Sequence, residues 1–250
     1  MPKRLTARDH REAYDLWATH FDDPALMANR DAESTRRQAA GLVRQLPLEP
    51  STSVLDVGPG DGAFLRIIAP RVRRCCGVDP SPNAVAKLSA LFRGTPNVEF
   101  AVGSAESIPS GGGEFDIVVI NSVLQLLPSR AAVARSLIEL MRVGKPGGLV
   151  MVGDLAFRDE LDHGLLVHMA RKLREYGARN FVRNIYHVYV RPFLRNQPMV
   201  LYPARHLYFA ESEFVAMCQA LGAQVQCRRH QELRRLSSTR NDYWLRLPLH

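Results

Sequence analysis

Three glycines and a pair of carboxylates carry the first chemical information in this chain. Gly58, Gly60 and Gly62 fall in the run Val54-Leu55-Asp56-Val57-Gly58-Pro59-Gly60-Asp61-Gly62-Ala63-Phe64-Leu65, where a short apolar stretch passes through a tight turn into an amphipathic segment. Glycine tolerates positive φ and lets a ligand approach the backbone where a Cβ would block it. The free N–H groups of the helix that follows point at whatever lies over the turn. A pyrophosphate-binding turn has the spacing G-x-G-x-x-G. Here the spacing is G-x-G-x-G and Asp61 would repel a diphosphate, so the turn suits a ligand with little negative charge. Asp79 closes the next apolar run and is placed to accept from both hydroxyls of a ribose.

These residues need a scaffold that delivers them to one edge, and the pattern supplies it. Strands are expected at Ser53 to Val57, Arg74 to Asp79, Val98 to Gly103, Phe115 to Asn121 and Gly148 to Asp154. Helices are expected between them at Ala63 to Val72, Pro82 to Arg93 and Arg130 to Val143. Ile117-Val118-Val119-Ile120 is apolar throughout, as a strand covered on both faces requires. Strand and helix in alternation imply an α/β fold with a doubly wound, mainly parallel sheet. A helix opened by Glu211 and closed near Gly222 precedes strands at Gln224 to Arg229 and Tyr243 to Leu247. Too few residues join those two for a crossover, so they should form a C-terminal antiparallel hairpin that brings the sheet to seven strands. Ligands of such sheets bind beyond the carboxyl ends of the strands. Those ends carry Gly58 to Gly62, Asp79, Ser104 to Glu106, Asn121-Ser122 and Asp154.

Four units follow: residues 1–50 as an N-terminal helical lid, 51–154 as the binding core, 155–210 as an inserted cap, and 211–250 as the helix and hairpin that complete the sheet. In the first, Tyr14, Trp17 and Phe21 stand at helical spacing, and a second helix is expected from Ala32 to Leu46. As a lid this segment could bring an aromatic, Asn29 or Arg30 to the ligand; as packing it would only bury the aromatics. The cap holds nine Lys and Arg against four Asp and Glu, with a tyrosine-rich stretch at Ile185 to Val190.

The 250-residue chain is 46% hydrophobic, with a formal charge of +8 and a pI of about 9.7. No apolar run reaches the roughly 18 to 20 residues of a membrane span, and the first ten residues have no apolar stretch behind their charges, so a cytoplasmic location is expected. Cys75 and Cys76 are adjacent in a strand and point to opposite faces, which argues for reduced structural thiols over a metal grip. The basic balance raises the prospect of acidic partners, whether nucleic acid, phosphorylated substrates or anionic lipid.

Taken together, the motifs resemble those of the class I S-adenosylmethionine-dependent methyltransferases, a Rossmann-like family. Val54 to Gly62 is similar to the family's first motif and Gly77-Val78-Asp79-Pro80-Ser81 to its second. Gly103-Ser104-Ala105-Glu106-Ser107-Ile108-Pro109 resembles its adenine-contacting segment, Phe115 to Asn121 its fourth strand, and Leu140 to Gly148 the turn before its fifth. The resemblance implies S-adenosylmethionine as cofactor, held by Asp56, Gly58, Pro59, Gly60, Asp79, Pro80, Ser104, Ala105, Glu106 and Asn121. Within that set it gives Asp79 the ribose, Ala105 the adenine and Asn121 the methionine amino end. Ser104 stands where the family often has aspartate, a weaker acceptor for the adenine amino group.

A sulfonium donor is already activated, so the chain must mainly hold a nucleophile in line and, for a hydroxyl, supply a base. Asp154 and His163 are the candidate bases, with His187 behind them. Tyr186, Tyr189 and Arg183 are the candidate acceptor contacts, since tyrosines with arginines can stack on and clamp a ring-bearing, acidic or phosphorylated acceptor. O-methylation of a small molecule or glycan is the expected activity, with RNA methylation or silent cofactor binding as alternatives. Strand four lacks an Asn-Pro-Pro-aromatic turn and a carboxylate cluster, so adenine-base methylation and a metal are not expected. A homodimer is among the partner expectations.

Overall fold

The structure, a computed structural model, describes residues 4–20, 32–157, 170, 173, 177–178, 182, 186, 190, 194, 199–201, 206–229 and 240–249. In chain order the elements are β1 (Arg4–Thr6), α1 (His10–His20), α2 (Ala32–Val43), β2 (Ser53–Val57), α3 (Ala63–Ile68), β3 (Arg74–Asp79), α4 (Pro82–Leu91), β4 (Val98–Val102), β5 (Phe115–Asn121), α5 (Arg130–Val143), β6 (Gly144–Ala156), β7 (Met199–Leu201), α6 (Glu211–Ala220), β8 (Gln224–Arg229) and β9 (Arg240–Arg246).

Period-2 alternation on the central strands sends side chains into two apolar layers. Leu55, Cys76, Val118, Ile120, Val150 and Val152 join Leu137 and Leu140 of α5 and Phe214 of α6. Val54, Cys75, Ile117, Val119 and Met151 join Leu42 and Val43 of α2 and Phe64 and Ile68 of α3 on the other face. Cys75 and Cys76 thus part company as expected, and burial pushes both thiols up to about 12.

The seven strands run in the order β4-β3-β2-β5-β6-β9-β8. The first five are parallel, and β9 lies antiparallel between β6 and β8. Strand order reverses between β2 and β5, which puts the topological switch beside the glycine turn. Ser81 and Ser129 cap α4 and α5, accepting from Ala84 N at 3.1 Å and Ala132 N at 3.2 Å.

Several expectations are corrected. The helix after the glycine turn ends at Ile68 and continues as a 3-10 turn over Ala69–Arg71, since Pro70 has no N–H to extend it. β6 begins at Gly144, because Gly144 to Gly148 continues the strand instead of ending in a turn. Residues 1–50 are not a wholly helical unit. Arg4–Thr6 is a strand that pairs in parallel with Met199–Leu201 of the insertion, and Ala39, Leu42, Val43 and Leu46 pack within the core. The expected helix at His163 to Tyr176 lies largely outside the described residues. Among the described residues no helix is long and apolar enough to cross a membrane.

Candidate functional site

The chain leaves β2 at Val57 and turns at once, with Gly58 N donating to Val78 O at 2.8 Å. Gly58 (φ 76°), Gly60 (φ 56°) and Gly62 (φ 72°) all take the left-handed conformation that favours glycine. A Cβ at Gly58 would fall 2.5 Å from Val123 Cγ2, whereas one at Gly60 would meet no protein atom within 4 Å. Packing within the protein therefore explains the first glycine, and the second presents bare backbone outward. Asp61 Oδ1 accepts from Ala63 N at 3.0 Å, so this carboxylate braces the start of α3.

Asp56, Asp61 and Asp79 collect around the turn. Asp56 is buried, and that burial, reinforced by Asp61 and Asp79, holds its carboxyl up at about 8. Asp79 is raised to about 6 by burial, opposed by the hydrogen bond from Ser81 N and helped by Asp15. Its Oδ1 accepts from Ser81 N at 2.9 Å. Near neutral pH Asp56 is thus held as the neutral acid while Asp79 ionises, which gives the edge a charged acceptor for hydroxyl donors.

The sign of the resulting pH dependence follows directly. Both folded values lie above the usual 3.8, so the folded chain holds protons that the unfolded chain has lost. Their stabilisation is complete below the unfolded value and disappears as pH rises through about 6 for Asp79 and about 8 for Asp56. Chemical denaturation of the cofactor-free chain should show stability falling from about pH 4 to about 6 through both groups and on to about 8 through Asp56 alone, by up to about 1.4 kcal/mol per pH unit for each group. Asp56→Asn should flatten that slope; an unchanged slope would remove Asp56 as its source.

The turn after β4 is tied down on both sides. Gly103 N donates to Asp79 O at 3.1 Å, and Ser104 and Ser107 exchange backbone bonds at 3.0 Å around Ala105. Glu139 of α5 accepts from Ile108 N at 2.8 Å, and Arg142 donates to the carbonyls of Ile108 and Ser110. Glu106, at the end of that turn, pairs with Arg135 of α5 at 2.6 Å.

Beyond β5 and β6 stands a second cluster, built on the strand-end residues Asn121 and Asp154. Asn121 Oδ1 lies against Gly153, where any larger residue would displace it. Ser122 donates to Asp154 Oδ2. Ser122 (φ 61°) and Asp154 (φ 56°) are the two non-glycine residues at positive φ among the described residues. Such backbones persist only where neighbours hold them. Asp154 is 1% exposed; its N–H donates to Asp242 Oδ1 at 2.8 Å, and Arg240 stands 3.6 Å from its carboxylate while donating to its carbonyl at 3.1 Å.

Glycine turn, Asp56, Asp79, Pro80, the 104–106 turn, Asn121 and Asp154 thus all lie at the carboxyl edge of the sheet. Pro59 sits within the turn and accepts from Gly62 N at 2.9 Å. Tyr186 is 45% exposed. His163, His187, Tyr189, Arg183, Asn29 and Arg30 lie outside the described residues. Sequence reasoning placed Ser122 at a strand end but missed Arg240 and Asp242, whose significance rests on a strand crossing of some 88 positions that no local pattern reveals. It also missed Asp15 of α1, which accepts from Ser81 Oγ at 2.6 Å.

Residues 55–152 match the profile of a family described as "Methyltransferase domain". The 2-methyl-6-phytyl-1,4-hydroquinone methyltransferase of Synechocystis sp. is 31% identical over 183 residues, covering 62% of this chain and 56% of that protein. The trans-aconitate 2-methyltransferase of Deinococcus radiodurans is 31% identical over 145 residues, covering 57% and 52%. The chain spans about half the length of these curated relatives. Among solved structures, phosphoethanolamine N-methyltransferase 1 of Haemonchus contortus, with phosphoethanolamine and S-adenosylhomocysteine, superposes with a TM-score of 0.66 at 16% identity, over 96% of this chain and 48% of that one. The [4+2]-cyclase SpnF gives 0.60 at 16% identity over 100% of both chains. At these identities the likeness is one of fold.

Proposed function

We propose that this chain, which belongs to the class I S-adenosylmethionine-dependent methyltransferase family, binds S-adenosylmethionine at the carboxyl edge and transfers its methyl group to an oxygen of a small-molecule or glycan acceptor. The observation that carries the reading is the union of an open glycine turn with Asp79 and Asp56 at the strand reversal. That set fits the cofactor: bare backbone at Gly60 and a carboxylate for two ribose hydroxyls. When bound, the cofactor supplies an already activated methyl group.

The chain's own part is to orient and to accept a proton. Ser122 Oγ gives its hydrogen to Asp154 and accepts from Asn121 Nδ2 at 3.5 Å, so the three side chains form one hydrogen-bonded chain at this edge. Asp154, its carboxylate facing Arg240, works at the acceptor end through that serine; His163 is the other candidate base. For the acceptor, the basic surplus at 155–210 favours negative charge. Relatives named for trans-aconitate and for a malonyl-carrier protein agree in that respect. Tyr186, Tyr189 and Arg183 are the proposed acceptor contacts.

A second reading stands beside this one. It is cofactor binding without methyl transfer, which Ser104 supports by standing where the family often has aspartate and which agrees with the description of SpnF as a cyclase.

Calorimetry on purified chain freed of carried-over ligand decides the first point. S-adenosylmethionine and S-adenosylhomocysteine should bind and a nicotinamide dinucleotide should not; absence of binding by both cofactor forms refutes the reading. Methyl transfer from labelled cofactor to a panel of carboxylated, phosphorylated and neutral hydroxyl acceptors should then favour the anionic ones. Tight binding with no transfer to any of them would support the alternative.

A further inference from the structure

The N-terminal helix touches the cofactor edge at one place and the insertion at another. Its start is capped by Asp9, which accepts from Glu12 N at 2.9 Å, and Ala18 packs against Ala84 of α4. On that side Asp15 Oδ1 accepts from Ser81 Oγ at 2.6 Å and from Asn83 Nδ2 at 3.2 Å, while Thr19 Oγ1 accepts from the same amide at 3.0 Å. Ser81 in turn donates its N–H to Asp79 Oδ1. At its other end, the His10 ring stacks on His206 with centroids 5.6 Å apart, and β1 just before it pairs with β7.

A continuous path therefore runs from β7 through β1 and α1 to Asp15, Ser81 and Asp79. We propose that Asp15 is a positioning residue that couples the ribose carboxylate Asp79 to a cover formed by the paired strands β1 and β7, so that cofactor binding steadies that pair. This rests on the cofactor reading above. Asp15 reaches Asp79 through one serine whose hydroxyl it orients and whose N–H the carboxylate takes. A ligand that fixes Asp79 fixes Ser81 with it, and hence the helix that carries β1. Coupling of this kind is reciprocal, so whatever steadies the pair also tightens the cofactor.

Amide hydrogen exchange on the full chain, with S-adenosylhomocysteine as probe, tests the path. In the native chain the ligand should slow exchange at 53–57 and also at 4–6 and 199–201. In Asp15→Ala the response at 53–57 should persist while that at 4–6 and 199–201 disappears, and affinity should fall about tenfold, the size of one hydrogen bond to a charged group. Asp15→Asn keeps an acceptor for Ser81 and should restore both. An unaltered response at 4–6 and 199–201 in Asp15→Ala overturns the proposal, as does failure of Asp15→Asn to rescue it. No binding by the native chain would instead refute the cofactor reading beneath it.

Discussion

Asp79→Ala should weaken S-adenosylhomocysteine binding by about 10- to 100-fold, the range set by losing hydrogen bonds worth roughly 1.5–3 kcal/mol to a charged acceptor. The carboxylate is mostly buried and already held by Ser81 N, so its geometry is prepared and little reorganisation offsets the loss. The same preparation gives the effect a pH signature. With Asp79 raised to about 6, native affinity should strengthen as pH rises through that region and the carboxylate becomes the stronger acceptor. The alanine variant should lack that rise. Titrations between about pH 5 and 8 read both quantities, and unchanged affinity in the variant would strip Asp79 of its ribose assignment.

Asp154→Ala should cost about 1–3 kcal/mol of folding stability, because Ser122 and the Arg240 guanidinium lose a buried acceptor while Arg240 keeps the carbonyl of residue 154. Asp154 is 1% exposed, and Arg240, Asp242 and Ser122 converge on it. A loss of turnover in that variant would be ambiguous by itself. Ser122→Ala separates the roles: it leaves the Arg240 pair in place, so stability read by urea denaturation should change by only about 1 kcal/mol. Turnover, however, should fall at least tenfold if the serine passes the acceptor's proton toward Asp154. Normal turnover in Ser122→Ala would make the cluster a brace between β5, β6 and β9, and the base would have to be sought elsewhere.

The parts of this fold that were legible in the sequence are those whose cause is local. The bounds of β2, β3 and β5 follow from apolar runs ending in glycine, aspartate or asparagine, and those of α5 from helical spacing of apolar residues closed by Gly144; the observed bounds agree with that pattern. The hairpin of β8 and β9 follows from a connection too short for a crossover. Asp79 was legible as a strand-end carboxylate for the same reason. What stayed hidden depends on distant partners. Arg4-Leu5-Thr6 has no pattern that announces a strand, since its partner is Met199 to Leu201. Asp15 sits between Tyr14 and Trp17, whose aromatic spacing drew attention to packing, whereas the carboxylate makes the contact with Ser81. Positive φ at Ser122 and Asp154 is likewise invisible in residue types that usually avoid it.

The pairing of β1 with β7 also bears on the order in which the molecule assembles. Arg4 can meet Met199 only after the intervening sheet has brought the two ends of that span together, because closing so long a loop costs entropy before any contact repays it. A pair of three-residue strands is marginal alone, so it should form last and open first. Partial unfolding of this one unit should then cost far less than melting the seven-stranded core.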